Sequence, residues 1–429
     1  MTTSAPTLVP DIMNEAAERA LSDALNSLLS SEEFLHKVWP AAYDKFVRNQ
    51  DEHNLEVDSV EIVVLPLDRI GAPAGASGAS VFVTYFCMRE DSPDATILPS
   101  PPLVIKLGSH SKLKDEIDFL EDWPSLEESV RSQFAMPLEL YKYNKRLSVL
   151  VAPFRSNYAP SRDGLRNGVE LIDLWGLLHY KFELKSGWED TYRTIDKVLR
   201  SALSAVDTVH RNNRSKYRRE RVRITSSLDW YLRNTQDKRS HVPESLFGDR
   251  EGIEMFGRSW PNPSRVFEQI ETRSTEITAT VGPVHGDLHP KNIVLTTNEN
   301  VNIIDFGWAR GNIPVVVDYL LLDINLRSTT LPSQHSNEAI MSLASYMNPS
   351  QDVSSVDSAL RQRAELIRDA LWTPIKSNEI IRDWHREYIL PMFLLAYGLL
   401  VHLDSTRNQA ALVATVLQSS KLVNEHVLD

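Results

Sequence analysis

Asp287, Asn292 five residues on, and Asp305 thirteen residues further lie together in the stretch from Val284 to Arg310. Carboxylate and amide oxygens are what a hard cation such as magnesium takes, and magnesium is usually held by one or two such side chains together with phosphate oxygens. A further carboxylate that carries no metal can orient a hydroxyl and accept its proton. These types at this spacing suit a metal–phosphate site, with Asp287 handling the proton and Asn292 and Asp305 as oxygen ligands.

Such residues must be held by short, regular elements. The apolar run Ile293-Val294-Leu295, the polar turn Thr296 to Asn300 and the second apolar run Val301 to Ile304 read as strand, tight turn, strand. A hairpin of that kind brings Asn292 and Asp305 from its two ends into one small volume. The flanking loops read His285-Gly286-Asp287-Leu288-His289-Pro290-Lys291-Asn292 and Asp305-Phe306-Gly307. Together they resemble the core of the phosphotransferase superfamily that contains aminoglycoside and choline kinases, whose loop commonly reads His-Gly-Asp-x-His-x-x-Asn before an Asp-Phe-Gly-like turn. The resemblance implies an α+β, bilobal, protein-kinase-like fold with a small antiparallel β-sheet lobe and a large helical lobe. It also implies dependence on ATP and Mg²⁺, transfer of the γ-phosphate to a hydroxyl, and Asp287 as catalytic base. His285 would hold the backbone around Asp287, and His289 would brace the same loop. Lys291 is placed to reach a transferred phosphate or to face solvent or substrate. The two histidines are not read as a zinc pair, because kinase magnesium prefers oxygen.

The nucleotide half is expected upstream. A strand at Val60–Leu65 leads through the small-residue loop Gly71 to Ser80 into a strand at Val81–Phe86, an arrangement that lets backbone N–H groups approach phosphates. Within it Gly75, Ser77, Gly78 and Ala79 are the nucleotide-contacting candidates. The loop is not Gly-x-Gly-x-x-Gly, and is similar instead to the loop of divergent bacterial members of the superfamily. Lys106 ends the apolar strand Leu103-Val104-Ile105-Lys106, where an unpartnered charge facing inward would be unfavourable. Its expected partners are nucleotide phosphates and Glu116 on a helix over 111–120, with Glu121 in reserve. Leu147–Val151 reads as the last strand of the small lobe. Ala152 and Phe154, at the crossover, would lie against the adenine.

The remaining chain divides as an N-terminal helical extension over 1–54, a small nucleotide-binding lobe over 55–152, and a large helical lobe over 153–429 with a basic insertion near 211–263. Helical spacing predicts two helices in the extension, from Asp11 and over Glu32–Phe46, as packing support or as a partner or homodimer surface. Helices are also expected over Asn167–Phe182 and Tyr192–Arg211, with His210 at the surface or at a helix end. Seven basic residues against one acid between Arg211 and Arg223 read as a solvated helix edge or as a docking patch for an acidic substrate, peptide or partner. Residues 243–263, with Pro243, Trp260, Pro261 and Pro263, read as an ordered loop packed by aromatics. Asp318 is expected to anchor the catalytic segment. Later helices are expected over Asn337–Tyr346, Val356–Trp372, Ser377–Leu403 with a break near Pro391, and Ser405–Asn424. Trp372, Trp384, Phe393 and Tyr397 are expected as packing residues.

With 429 residues and a net charge of −12, the chain can bury a large core, and the charge argues against a general nucleic-acid surface. Its single cysteine, Cys87, allows neither an internal disulfide nor a thiolate zinc cluster. No secretory leader or membrane span is expected, the apolar stretch Tyr388–Leu403 reading as a buried helix, so the expected location is cytoplasmic. The acceptor class stays open among small alcohols, aminoglycosides, sugars and peptide hydroxyls. Two other readings remain: a Ser/Thr kinase of a peptide precursor or protein partner, and a kinase-like scaffold without catalysis.

Overall fold

The computed structural model describes residues 15–29, 31, 32, 36, 59–66, 80–89, 98–99, 103–111, 113, 114, 116, 117, 131–144, 147–153, 173–181, 188–212, 217–233, 242–295 and 301–428. Contacts divide the chain into two compact units. The first contains residues 1–123, 127–172 and 294–308, and the second contains 124–126, 173–293 and 309–429. The sequence division places the 294–308 hairpin with the large lobe, whereas its contacts lie with the first unit.

The first unit is built on strands β1 (Ser59–Pro66), β2 (Ser80–Arg89), β3 (Leu98–Pro99), β4 (Leu103–Gly108), β5 (Glu139–Lys142) and β6 (Ser148–Pro153). They form one antiparallel sheet in the order β1-β2-β4-β6-β5, with β3 added to β2. The β-branched and leucine residues of β4 and β6 are almost fully buried, as central strands require. Lys106 sits on β4 opposite Val81 on one side and Leu150 on the other. Cys87 lies in β2, opposite Glu61 and Pro99. Helix α1 (Glu15–Leu29) buries Ala20, Leu21, Ala24, Leu25 and Leu28, and packs near β6. Most of the second N-terminal helix, the small-residue loop with Gly75, Ser77, Gly78 and Ala79, Glu121, and Phe154 lie outside the described residues.

The second unit carries β7 (Arg218–Arg223), a hairpin of β8 (Gly252–Met255) with β9 (Arg258–Pro261), and β10 (Glu276–Val284). Strands β11 (Ile293–Leu295) and β12 (Val301–Ile303), which from residue 294 on belong to the first unit, pair with each other as the two expected strands, residues 296–300 between them lying outside the described ones, while β13 (Arg310–Pro314) joins a three-stranded sheet ordered β13-β10-β7. The helices that matter below are α2 (Trp188–Asn212), α3 (Pro263–Thr272), α4 (Val316–Ile324), α5 (Asn337–Ser345), α6 (Leu390–Leu399) and α7 (Gln409–Val423). Every residue of α4, and all but the last of α6, is buried.

Several expectations need correction, among them the loop over 243–263, which carries a short helix at Val242–Phe247 and the β8–β9 hairpin, and the helix from Ser377, which starts only at Trp384. Arg218–Arg223 is a strand paired with β10, not a solvated helix edge, because Arg219 and Arg221 alternate with Glu220 and Val222 on opposite faces. His210 lies in the last turn of α2, as one of its two expected placements has it, but it is 1% exposed, so the surface placement is the one that fails. The helix expected over Val356–Trp372 starts its regular α-turns only at Arg361, after a 3₁₀ turn at Val353–Ser355. Pro391 does not break its helix. The turns His385–Ile389 before it are π-helical, and their wider i→i+5 bonding accommodates the missing proline N–H. The continuous segment His385–Asp404 is apolar and long enough to cross a membrane by length and composition, and 72% of its most apolar window is buried inside the fold.

Candidate active site

In the first unit, Lys106 projects from β4 and meets two carboxylates. Its Nζ donates to Glu116 Oε2 at 2.9 Å and Oε1 at 3.1 Å, and to Asp305 Oδ1 at 2.7 Å. Glu116 is helical and more buried than the lysine, the two side chains being 7% and 13% exposed, while Asp305 is 38% exposed. Burial alone would lower Lys106, but Asp305 and Glu116 outweigh it and hold the amine above its ordinary value. Burial, aided by repulsion from Asp305 and opposed by Lys106, pushes Glu116 up to about 7.

Asp305 stands where it does because its backbone is left-handed, with φ 67°, a conformation aspartate tolerates better than most side chains. The hairpin leading to it is stitched to the segment before β5. Ala135 N donates to Ile303 O at 2.8 Å, and Ile303 N donates to Gln133 O at 2.7 Å. Phe306 is buried with its ring 6.2 Å from that of Phe134. A Cβ at Gly307 would come within 3.3 Å of Glu116 Oε1 and 3.4 Å of Asp305 Oδ1, so a side chain here would press on both carboxylates.

In the second unit, the chain leaves β10 into the loop that carries Asp287. Asp318 of α4, fully buried, receives His285 N at 2.9 Å and Gly286 N at 2.8 Å on its two oxygens. Gly286 has φ 80°, which lets two successive amides aim at one carboxylate. Burial pushes Asp318 up to about 7 against the pull of those two N–H groups. His285 Nδ1 accepts from Asp287 N at 3.3 Å, placing the imidazole proton on Nε2. Asn292 Nδ2 donates to Asp287 O at 2.8 Å, which turns the amide oxygen to the other side of the group. His289 Nε2 is 3.7 Å from Asp287 Oδ2.

Lys291 lies 4.9 Å above the Trp175 ring and near Asp173, so it is partnered within its own unit. Asp173 accepts from Gly176 N at 2.6 Å, and burial raises it to about 6. Ala152, in β6, is half-buried and paired with Val104. Sequence reasoning missed three residues close to the loop: Asp173, Trp175 and Tyr231. Burial and then the charge of Asp287 push the Tyr231 phenol upward. Tyr231 sits on a short helix, Asp229–Arg233, with no motif around it, and only its apolar neighbour Leu232 carries a packing signal.

The structure thus brings a lysine on the central strand of an antiparallel sheet together with a glutamate from the helix that follows and with the aspartate of Asp-Phe-Gly. Comparison with known proteins gives one matching family model, over just under half of the chain, and several solved structures. The family model described as Ternary complex associated domain 9 matches residues 188–397. No curated protein matches the sequence. Among solved structures, the chain is similar to a glucosamine kinase, at 13% identity and a TM-score of 0.42, over 85% of this chain and 81% of that one. It is similar also to a thermostable mutant of aminoglycoside phosphotransferase APH(4)-Ia in complex with ADP and hygromycin B, at 11% identity and 0.41, over 84% and 97%. A Plasmodium vivax ethanolamine kinase aligns at 13% identity and 0.32, over 97% of each chain.

Proposed function

We propose that this chain is a phosphotransferase that moves the γ-phosphate of ATP to the hydroxyl of a small molecule. The observation that carries this reading is Lys106 held between Glu116 and Asp305. One ammonium facing two carboxylates leaves an excess negative charge, and two kinds of partner relieve it: a cation at Asp305 and phosphate oxygens at Lys106. The donor set is all oxygen on the metal side and suits magnesium. Among the described residues no cluster of three or more metal-ligating side chains occurs, so phosphate oxygens and water would have to complete the shell.

Asp305 and the Asn292 amide oxygen would hold the ion, which when bound supplies neutralisation of phosphate charge. Lys106 would orient the phosphates, with Glu116 fixing its ammonium. Asp287, whose backbone is set by His285, Gly286 and Asn292, would accept the proton of the acceptor hydroxyl as its oxygen forms a bond to phosphorus and the bond to ADP breaks. His289, with Nε2 3.7 Å from Asp287 Oδ2, would help to position that carboxylate. Gly75, Ser77, Gly78, Ala79, Ala152 and Phe154 remain the proposed nucleotide contacts from the sequence.

The test is incubation of the full chain with ATP, Mg²⁺ and a panel of alcohol, aminoglycoside and peptide acceptors, beside an Asp287→Asn variant. Transfer to a small alcohol or sugar is expected, falling by about 100-fold or more in the variant, with nucleotide binding retained. Transfer at the same rate in Asp287→Asn would overturn the assignment. Transfer to peptide hydroxyls alone would replace the acceptor class.

A further inference from the structure

A cavity of about 300 Å³ opens in the second unit, lined by residues of β7, β10 and the start of the His385 helix. Arg219, Arg221, Arg382 and Arg386 face Glu276, Asp383 and Glu387 there, a net charge of +1 (four minus three). The chain as a whole carries a net charge of −12. The pleat explains part of the arginine grouping, since Arg219 and Arg221 share one face of β7 beside Thr280 and Thr278 of β10.

The acids are already engaged. Glu387, 3% exposed, accepts from Arg219 at 2.5 and 2.8 Å and from the backbone amides of Arg382 and Asp383 at 3.1 and 3.0 Å. Asp383 Oδ1 accepts from the amides of His385 and Arg386, both at 3.1 Å. Thr280 Oγ1 donates to Ile380 O at 2.6 Å and accepts from Arg219. The floor is therefore fixed, and three guanidiniums remain at the rim. Arg221 meets Glu276 with side chains 77% and 44% exposed, and Arg386 lies 3.7 Å from Asp383, also at the surface. Exposed pairs of this kind are worth about 0–1 kcal/mol, so an incoming anion displaces them easily. The Arg382 side chain has no ion-pair or hydrogen-bond partner among the described residues.

We propose that this cavity binds a phosphate-type dianion, either inorganic phosphate or the phosphomonoester group of a larger molecule, on Arg221, Arg382 and Arg386. Guanidinium forks match tetrahedral oxyanions in geometry, and at the rim three of them face two carboxylates, Glu276 and Asp383, which leaves Arg382 over. The site does not draw on the phosphotransfer residues, and its test contains no ATP.

Isothermal titration calorimetry of the full chain at low ionic strength would use inorganic phosphate, phosphoserine, and a phosphoserine peptide beside its unphosphorylated form. The same series on an Arg382→Gln/Arg386→Gln variant isolates this cavity from any other phosphate-binding surface, and thermal melts check that the variant is folded. Binding is expected in the parent and weakened by about tenfold or more in the variant. Similar affinity for phosphate and the phosphopeptide assigns the site to the free anion. Much tighter phosphopeptide binding, lost with the phosphate group, assigns it to a modified side chain. Absence of binding by every probe, or equal affinities in parent and variant, would overturn the proposal.

Discussion

His210 shows how much a single side chain contributes beyond its place in a motif. Its ring donates to the carbonyl of Pro283, two residues before His285, and stacks near Tyr217 with centroids 5.9 Å apart. The other ring nitrogen, Nδ1, is buried without a hydrogen-bond partner. Burial pushes the imidazole down from 6.5 to about 4, with the Pro283 carbonyl acting the other way. Between those values the unfolded chain binds more protons than the folded one, so this contribution is complete above about 6.5 and is lost as pH falls toward about 4. Melting temperature measured across that window should fall less steeply in His210→Phe than in the parent. Parallel slopes would mean that the ring does not titrate in a buried state. At the same scale, Lys106 and Glu116 were legible because a charged residue at the end of an apolar strand needs a partner within reach. Lys291 was not, because the Trp175 and Asp173 that hold it come from a distant element.

At the scale of elements, the loop bearing Asp287 depends on α4 as much as on its own sequence. Asp318→Ala would leave two buried amides, His285 N and Gly286 N, without their acceptor. The expected loss is about 2–4 kcal/mol of stability, read from urea unfolding, together with faster hydrogen exchange at both amides. A variant with unchanged stability and exchange would show that the carboxylate is not the anchor. The hairpin of β11 and β12 was readable because apolar runs flank a polar turn. Strand β7 was not, since its period-two pattern is written in arginines with Val222 as its one apolar residue, and a charge run masks the alternation that marks a strand. The π-helical turns before Pro391 were also hidden, because sequence rules treat an internal proline as a stop.

For the molecule as a whole, the second unit is organised around α6, whose residues Leu390 to Gly398 are all buried, against α7 and α4. A helix hydrophobic all round is a core or a membrane element by composition alone. Here its neighbours cover it, with Tyr397 stacked on Phe267 of α3 at 4.9 Å and Gly398 closed over by Tyr231. Leu394 is 0% exposed, and Leu394→Ala is expected to destabilise the protein by about 2–5 kcal/mol, measured as a lower urea midpoint with an unchanged slope. A shift below about 0.5 kcal/mol would place this helix outside the cooperative core. The individual strands of the sheet and the long helices follow from periodicities that sequence carries well, while their division into two parts was what the resemblance implied. The three-stranded sheet of the second unit does not, because it is assembled from strands of which one pair is set apart by more than fifty residues.

The first unit closes only when residues 294–308 return to it, joining Ser132 to Asn302 across 170 positions and Lys106 to Asp305 across 199. On the ribosome, where elongation runs at about 5–20 residues per second, that return comes roughly 10–40 s after Lys106 has been added. During that interval the nascent sheet holds an ammonium with one of its two counter-ions still unsynthesised. A fragment ending before residue 294 would keep all its strands β1–β6 and remain without the piece that completes their charge balance.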